Sequence, residues 1–280
     1  GVSRSGFYAW LKAAPARELR DERDRKDFEL ILDAFRFRGY RKGARSIHMR
    51  LLHTGVVMNV KKIRRLMKKY DLICPIRKAN PYRRMAKALA TNNAAENIVN
   101  RDFRREPRKV LLTDITYLFF ENGRCYLSTI LDAYTHEILA YRLSQSLKVD
   151  FVLETIEQLI ESHGSALDNS TIVHSDQGCH YTSYAFIQKL RDAEFVQSMS
   201  RRGNCWDNAP QESFFGHMKD EINLSDCKTF DDVKKIIDDW IDYYNTERYQ
   251  WQLAKLSPDE YYQYFTTGIY PLKKENPTDI

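Results

Sequence analysis

The sequence predicts an α/β domain, with a mixed sheet covered by helices on both faces, behind an all-α helix-turn-helix domain. Three observations carry this. The first third keeps apolar residues at three-to-four spacing among many Lys and Arg. A β-rich run, VLLTDITYLFF, opens the second part, and after residue 150 helical and extended patterns alternate.

In the first part, residues 16–36 contain no Gly or Pro and end on an amphipathic pattern of Phe28, Ile31, Leu32 and Phe35, which predicts a helix. Ile47, Leu51 and Leu52 give a second, short helical face, and His53-Thr54-Gly55 marks a turn. Asn59 is placed to cap a third helix, whose apolar positions are Val60, Ile63, Leu66 and Met67. Lys61, Lys62, Arg64, Arg65, Lys68 and Lys69 are expected to point away from that apolar side. A helix, a tight turn and a short basic helix form the arrangement whose second helix enters the major groove.

From Pro75 to about Pro107 the periodicity is lost, as in a linker. The β-rich run at 110–120 is bounded by Glu121-Asn122-Gly123, a hairpin signal. Residues 124–144 predict two more strands around Asp132–His136. Residues 150–164 predict an amphipathic helix, and 170–183 begin as a strand. A helix over 183–195, a short strand over 196–200 and helices over 208–224 and 230–245 complete the order. The expected domains are 1–90, a linker at 91–109, a core at 110–265 and a tail at 266–280.

The chain has 280 residues and a net charge of +6, which conceals a strong segregation. Residues 1–110 carry 29 Lys and Arg against 11 Asp and Glu; residues 111–280 carry 15 against 27. A solvated face mixes signs, so the basic part is read as a surface for a polyanion, double-stranded DNA, with Arg45 beside the basic helix among its contacts. The five cysteines are scattered with no CxxC pair, which argues against a zinc module and for a reducing compartment. No apolar run approaches the roughly 20 residues that span a bilayer, so a cytoplasmic, nucleoid-associated protein is expected. Because the chain begins at Gly1, it is expected to be a fragment or a processed portion.

Two acids stand oddly on strands. Asp114 falls inside VLLTDITYLFF, where both sheet faces should be apolar, and Asp176 ends TIVHSDQG, where a buried strand emerges into a loop. A buried unpaired carboxylate costs several kcal/mol, so such groups are usually paired or bound to a cation. Either alone reads as a turn carboxylate. Glu212, near the start of a helix entered through Asn208 or Ala209 as cap and Pro210, reads alone as a residue favoured by the helix dipole. Together, three carboxylates from two strands and one helix would bind hard divalent cations through oxygen. Two such ions, roughly 4 Å apart, serve in-line phosphoryl transfer.

Four motifs, TDITY (113–117), HSDQGCHYTS (174–183), SMSRRGNCWDNAPQESFFGHMK (198–219) and YYNTERYQWQLAKLSPDEY (243–261), stand here in one order. In that order and spacing the chain resembles the second-frame protein of bacterial insertion-element transposases, with a retroviral-integrase-like catalytic domain. The resemblance implies a ribonuclease-H-like fold and Asp114, Asp176 and Glu212 as catalytic, metal-binding residues. It implies Mg²⁺, replaceable by Mn²⁺, and Lys219 as a DNA contact. It implies cleavage and strand transfer at element ends, through a circular intermediate. It further implies a dimer or higher assembly on DNA, with an upstream-frame partner or fusion. The chain departs from the family's pattern at Gln250-Trp251-Gln252, where relatives often have His-Ser, and at Ala254, where Gly is common.

Trp206 is expected either to stack on an unpaired base or to pack over the Glu212 helix. Asp132 reads as a turn carboxylate, and His174 and His180 as satisfied structural histidines. The rival readings are a helix-turn-helix regulator without catalysis and a nuclease of the same fold.

Overall fold

The computed structural model describes residues 3–74, 95–201 and 205–272. They fall into two compact units, and residues 75–94, within the expected linker tract, lie outside the described residues.

The N-terminal unit is all helical: α1 Arg4–Lys12, α2 Ala14–Arg36, α3 Ala44–His53 and α4 Val60–Lys69. Asn59 caps α4 as its sequence suggests, its Oδ1 accepting from Lys61 N at 2.8 Å. The turn between α3 and α4 passes through Gly55 at φ 80°, a conformation that favours glycine. Ile31, Ala34, Ile47, Leu51, Met58, Ile63, Leu66 and Met67 form the core, so α2, α3 and α4 each bury one apolar stripe. α1 was not expected. Phe7, Tyr8 and Trp10 are exposed on it, so no buried face betrays it in the sequence.

The larger unit is built on a five-stranded sheet of order β3-β2-β1-β4-β5. The strands are β1 Val110–Phe120, β2 Gly123–Asp132, β3 Ile138–Ser144, β4 Ile172–Ser175 and β5 Val196–Met199. β1, β2 and β3 form an antiparallel meander, and β4 and β5 run parallel to β1. This is the mixed sheet that the sequence predicts, in the ribonuclease-H-like fold that the resemblance implies. Helices α5 Asp150–His163, α6 Tyr184–Asp192, α7 Ala209–Glu221, α8 Phe230–Thr246 and α9 Pro258–Thr267 surround it.

Neighbouring residues of β2 show that both faces are covered. Ser128 accepts from Thr155 on α5 and Thr129 accepts from Gln211 on α7, and adjacent strand residues point to opposite faces. On the α5 side, Phe151, Val152, Ile156 and Leu159 pack on Leu111, Ile130 and Val173. On the α7 side, Phe214 meets Trp240 and Tyr244 of α8 with ring centroids 5.5 and 4.8 Å away. Phe214 and Phe215 are both buried. α9 was also missed, although its signals are in the sequence. Ser257 and Glu260 form a capping box, Pro258 sits in the first turn and Gly268 ends the helix.

Candidate active site

Asp114 lies mid-strand on β1, buried opposite Thr129, with its Oδ1 accepting from Ile115 N at 2.8 Å. The parallel pairing of β1 and β4 runs Val110↔Ile172, Leu111↔Val173 and Leu112↔His174. Two residues further along each strand stand Asp114 and Asp176. Adjacent strands lie about 4.8 Å apart, so the register, continued two residues, sets Asp114 in the middle of β1 level with Asp176, just past the end of β4. Both bear electrostatically on the buried Tyr181 hydroxyl. Burial first, then Asp114 and Asp176, push its pKa well above the usual tyrosine value.

The Asp176 loop is tightly built. Asp176 Oδ1 accepts from Gly178 N at 2.9 Å, and a Cβ at position 178 would stand 2.8 Å from that oxygen. Beneath it, His174 is buried between Ser198 Oγ (2.9 Å) and Ser200 Oγ (3.0 Å). Burial lowers its pKa to about 4, so the ring is neutral at neutral pH. His180 places Nε2 2.8 Å from Leu147 O. Both histidines are satisfied structurally.

Glu212 is exposed in the first turn of α7. Its helix is fastened to β1 and β2 on either side of it. Gln211 Nε2 donates to Thr129 Oγ1, on the cross-strand partner of Asp114, and Lys219 Nζ donates to Thr116 Oγ1, two residues along β1 from Asp114. Glu212 and Lys219 are two turns apart on one helix face, while Asp114 and Thr116 share one strand face. Nevertheless, among the described residues no three His, Cys, Asp or Glu side chains come close enough to hold a metal ion. The two aspartates are brought together; Glu212 is not gathered with them.

Asn208 stands at the N-cap of α7, but its side chain makes no capping bond, and its Oδ1 is buried without a partner among the described residues. The entry to α7 is held by a residue that sequence reasoning passed over, Asp207. Its fully buried carboxylate accepts from Asn97 Nδ2 (3.0 Å) and Arg101 Nε (2.8 Å). It also accepts from Arg201 N (3.0 Å), Nε (2.9 Å) and Nη2 (2.9 Å). Those side-chain bonds, Arg201's first, hold Asp207 far below the usual carboxylate range. The signal available was an acid and an arginine bracketing one loop, RRGNCWD. Trp206, next to it, is 61% exposed.

Asp132 belongs elsewhere. It is buried at the other end of β1, accepting from Arg108 N and Nη1 and from the backbone of Tyr134 and Thr135. Arg108 also pairs with Glu137 at 2.6 Å. Asp132 is the turn carboxylate expected.

The expected DNA-contact residues occupy two stripes of α4. Lys62 pairs with Asp27 of α2. Arg65 makes a two-pronged bond to Asp24 at 2.7 and 2.8 Å, and Lys69 reaches Asp21 and Asp24. Lys61, Arg64 and Lys68 form the other stripe and are exposed, as is Arg45 at the start of α3.

Residues 104–205 and 194–258 match two models described as integrase core domain, and residues 22–80 match an HTH-like domain. An uncharacterized transposase-like protein of Haemophilus influenzae is 35% identical over 214 residues, spanning 75% of this chain and 95% of that protein. The putative transposase InsK for insertion sequence element IS150 of Escherichia coli is 30% identical over 262 residues, spanning 93% and 89%. Among solved structures, the HTLV-2 integrase catalytic core domain in complex with magnesium aligns at 14% identity with a TM-score of 0.44, covering 56% of this chain and 97% of that one.

Proposed function

This chain belongs to the insertion-sequence transposases that carry an integrase core, and from that premise we propose that it cuts and joins DNA strands at the ends of such an element. The observation that supports the reading is the register of β1 and β4, which, continued two residues beyond Leu112 and His174, reaches Asp114 and Asp176.

The donor set fits hard divalent cations: Asp114, Asp176 and Glu212 would offer carboxylate oxygens only, two from adjacent strands and one from a helix fastened over them. Bound Mg²⁺, or Mn²⁺ in its place, would supply Lewis acidity at the scissile phosphate. The carboxylates would hold that charge and fix its position. Gly178 lets the Asp176 loop close. Water would cleave one strand to leave a 3′-OH, which then attacks a second phosphodiester. Lys219, anchored at Thr116, would meet the DNA backbone beside the cleavage point. The helix-turn-helix unit would bind the element end through Lys61, Arg64, Lys68 and Arg45, and two ends would call for at least two copies of the chain.

The test uses a labelled element-end duplex with Mg²⁺ and the variant Asp176→Asn. Loss of both cleaved and joined products with DNA affinity nearly unchanged is expected; wild-type joining by the variant would overturn the assignment. The position of Glu212 outside a three-carboxylate cluster favours one second reading, a DNA-binding member of the family without catalysis. It predicts sequence-specific binding by the wild-type chain and no nicking in Mg²⁺ or Mn²⁺.

A further inference from the structure

The β1–β4–β5 register continues past Asp176. Ser175 pairs with Met199, so Asp176 stands beside Ser200, and Ser200 N donates to Ser175 O at 2.8 Å. Arg201 is the next residue, leaving β5 at the sheet end where the two aspartates lie. Its guanidinium meets Asp207 from one side while Arg101 meets it from the other.

Arg101 is delivered there by a turn with two left-handed residues: Asn100 at φ 45°, which an Asn tolerates, and Arg101 at φ 66°, which an Arg does not favour. Asn97 holds that turn, its Oδ1 accepting from Asn100 N at 2.8 Å while its Nδ2 donates to Asp207. Backbone held in this region persists where the surroundings fix it, often at ligand-binding sites.

The carboxylate at the centre is fully buried, whereas Arg101 and Arg201 are 46% and 52% exposed. The bonds to Asp207 use Nε of Arg101, and Nε and Nη2 of Arg201, and leave further N–H groups on both half-exposed side chains. Two guanidiniums locked on a buried anion, with a net charge of +1, present a preorganised fork for a phosphate oxygen. Trp206, the residue before Asp207 in the chain, is exposed.

The geometry points to Arg101, Asp207 and Arg201 as a phosphodiester-binding clamp that grips the DNA backbone beside the aspartate pair. Arg101 and Arg201 touch the phosphate; Asp207 and Asn97 position them. The inference rests on the reading of this chain as a DNA-cutting enzyme.

Affinity for an element-end duplex is measured against salt concentration in the absence of divalent metal. The triple variant R101Q/R201Q/D207N neutralises the hub without leaving a buried charge unpaired. Each phosphate contact contributes about 0.9 to the slope of log affinity against log salt, so the folded triple variant, which loses the one phosphate the two arginines share, should flatten the slope by about one. A folded triple variant with wild-type slope and affinity overturns the clamp. A second measurement needs no variant: in the wild-type chain, phenylglyoxal should modify Arg101 and Arg201 without DNA and be excluded with it, read by peptide mass spectrometry. Equal modification with and without DNA also overturns it. A wild-type chain that joins ends in Mg²⁺ while showing either negative result sinks the clamp alone. A flattened slope in a chain that never nicks sinks the catalytic reading and leaves the clamp standing.

Discussion

Gly178 shows how much one missing side chain can decide. Its amide donates to Asp176 Oδ1 at 2.9 Å, and a methyl group there would stand 2.8 Å from the same oxygen, closer than side-chain carbons come to backbone or carboxylate atoms. The variant Gly178→Ala must therefore turn the Asp176 carboxylate away or open the loop. Since a misplacement of about 1 Å at a reacting centre can cost about a hundredfold, cleavage of an end duplex should fall by about that factor. Melting temperature and DNA affinity should change little. Cleavage at the wild-type rate would show that the Asp176 position does not matter to the chemistry. Asp114 stands out in the sequence as a carboxylate inside a β-rich run, yet either aspartate alone reads as a turn carboxylate, and composition and periodicity do not give the strand register that relates them. The Asp207 hub is hidden further still, since only Arg201 is near it in the chain while Asn97 and Arg101 arrive from a distant segment.

At the scale of elements, α4 divides its basic residues between two tasks. Arg65 and Lys69 meet Asp24, whose carboxylate is buried and held far below the usual range, chiefly by the Arg65 bond and then by Lys69. Those cations fasten α4 to α2, whereas Lys61, Arg64 and Lys68 face outward. Replacing each of the outward three by Ala should flatten the salt dependence of DNA binding by about 0.9 with melting unchanged. The variant Asp24→Ala should instead destabilise the N-terminal unit by about 1–3 kcal/mol, read by chemical denaturation. Helical periodicity placed α2, α3 and α4 correctly, but it could not show that α2 carries Asp21, Asp24 and Asp27 against one side of α4.

The departure at Ala254 is explained at the same scale. Ala254 and Lys255 both have positive φ, 54° and 67°, in the tight turn closed by the Gln250–Leu256 bridge. A left-handed residue with a Cβ costs roughly 1–2 kcal/mol, and glycine returns part of that through its larger unfolded-state entropy. Ala254→Gly should raise stability by about 0.5–1 kcal/mol. A lower melting temperature for that variant would mean the Ala methyl packs usefully.

Over the whole molecule, four histidines of the larger unit, His136, His163, His174 and His217, share one electrostatic condition: burial lowers the pKa of each below 6.5. His174 is the most extreme at about 4, although Asp207 pulls it upward. In the unfolded chain these rings take up protons near 6.5; in the folded chain they do so only at lower pH. Between those values the unfolded state binds more protons, so stability is full above pH 6.5 and is lost as pH falls toward 4. Asp259 acts in the opposite sense, since burial and Glu137 raise it to about 6 and favour the folded state while it is protonated. His174 is isolated by comparing wild type with His174→Gln. The variant is less stable at neutral pH, because Ser198 and Ser200 lose their imidazole partner. Between roughly pH 7 and pH 4 the wild type should lose about 1–3 kcal/mol more than the variant, read as a difference in denaturation midpoints. Parallel curves would mean that the folded chain protonates His174 as readily as the unfolded chain does, so that burial between the two serines does not hold the ring neutral.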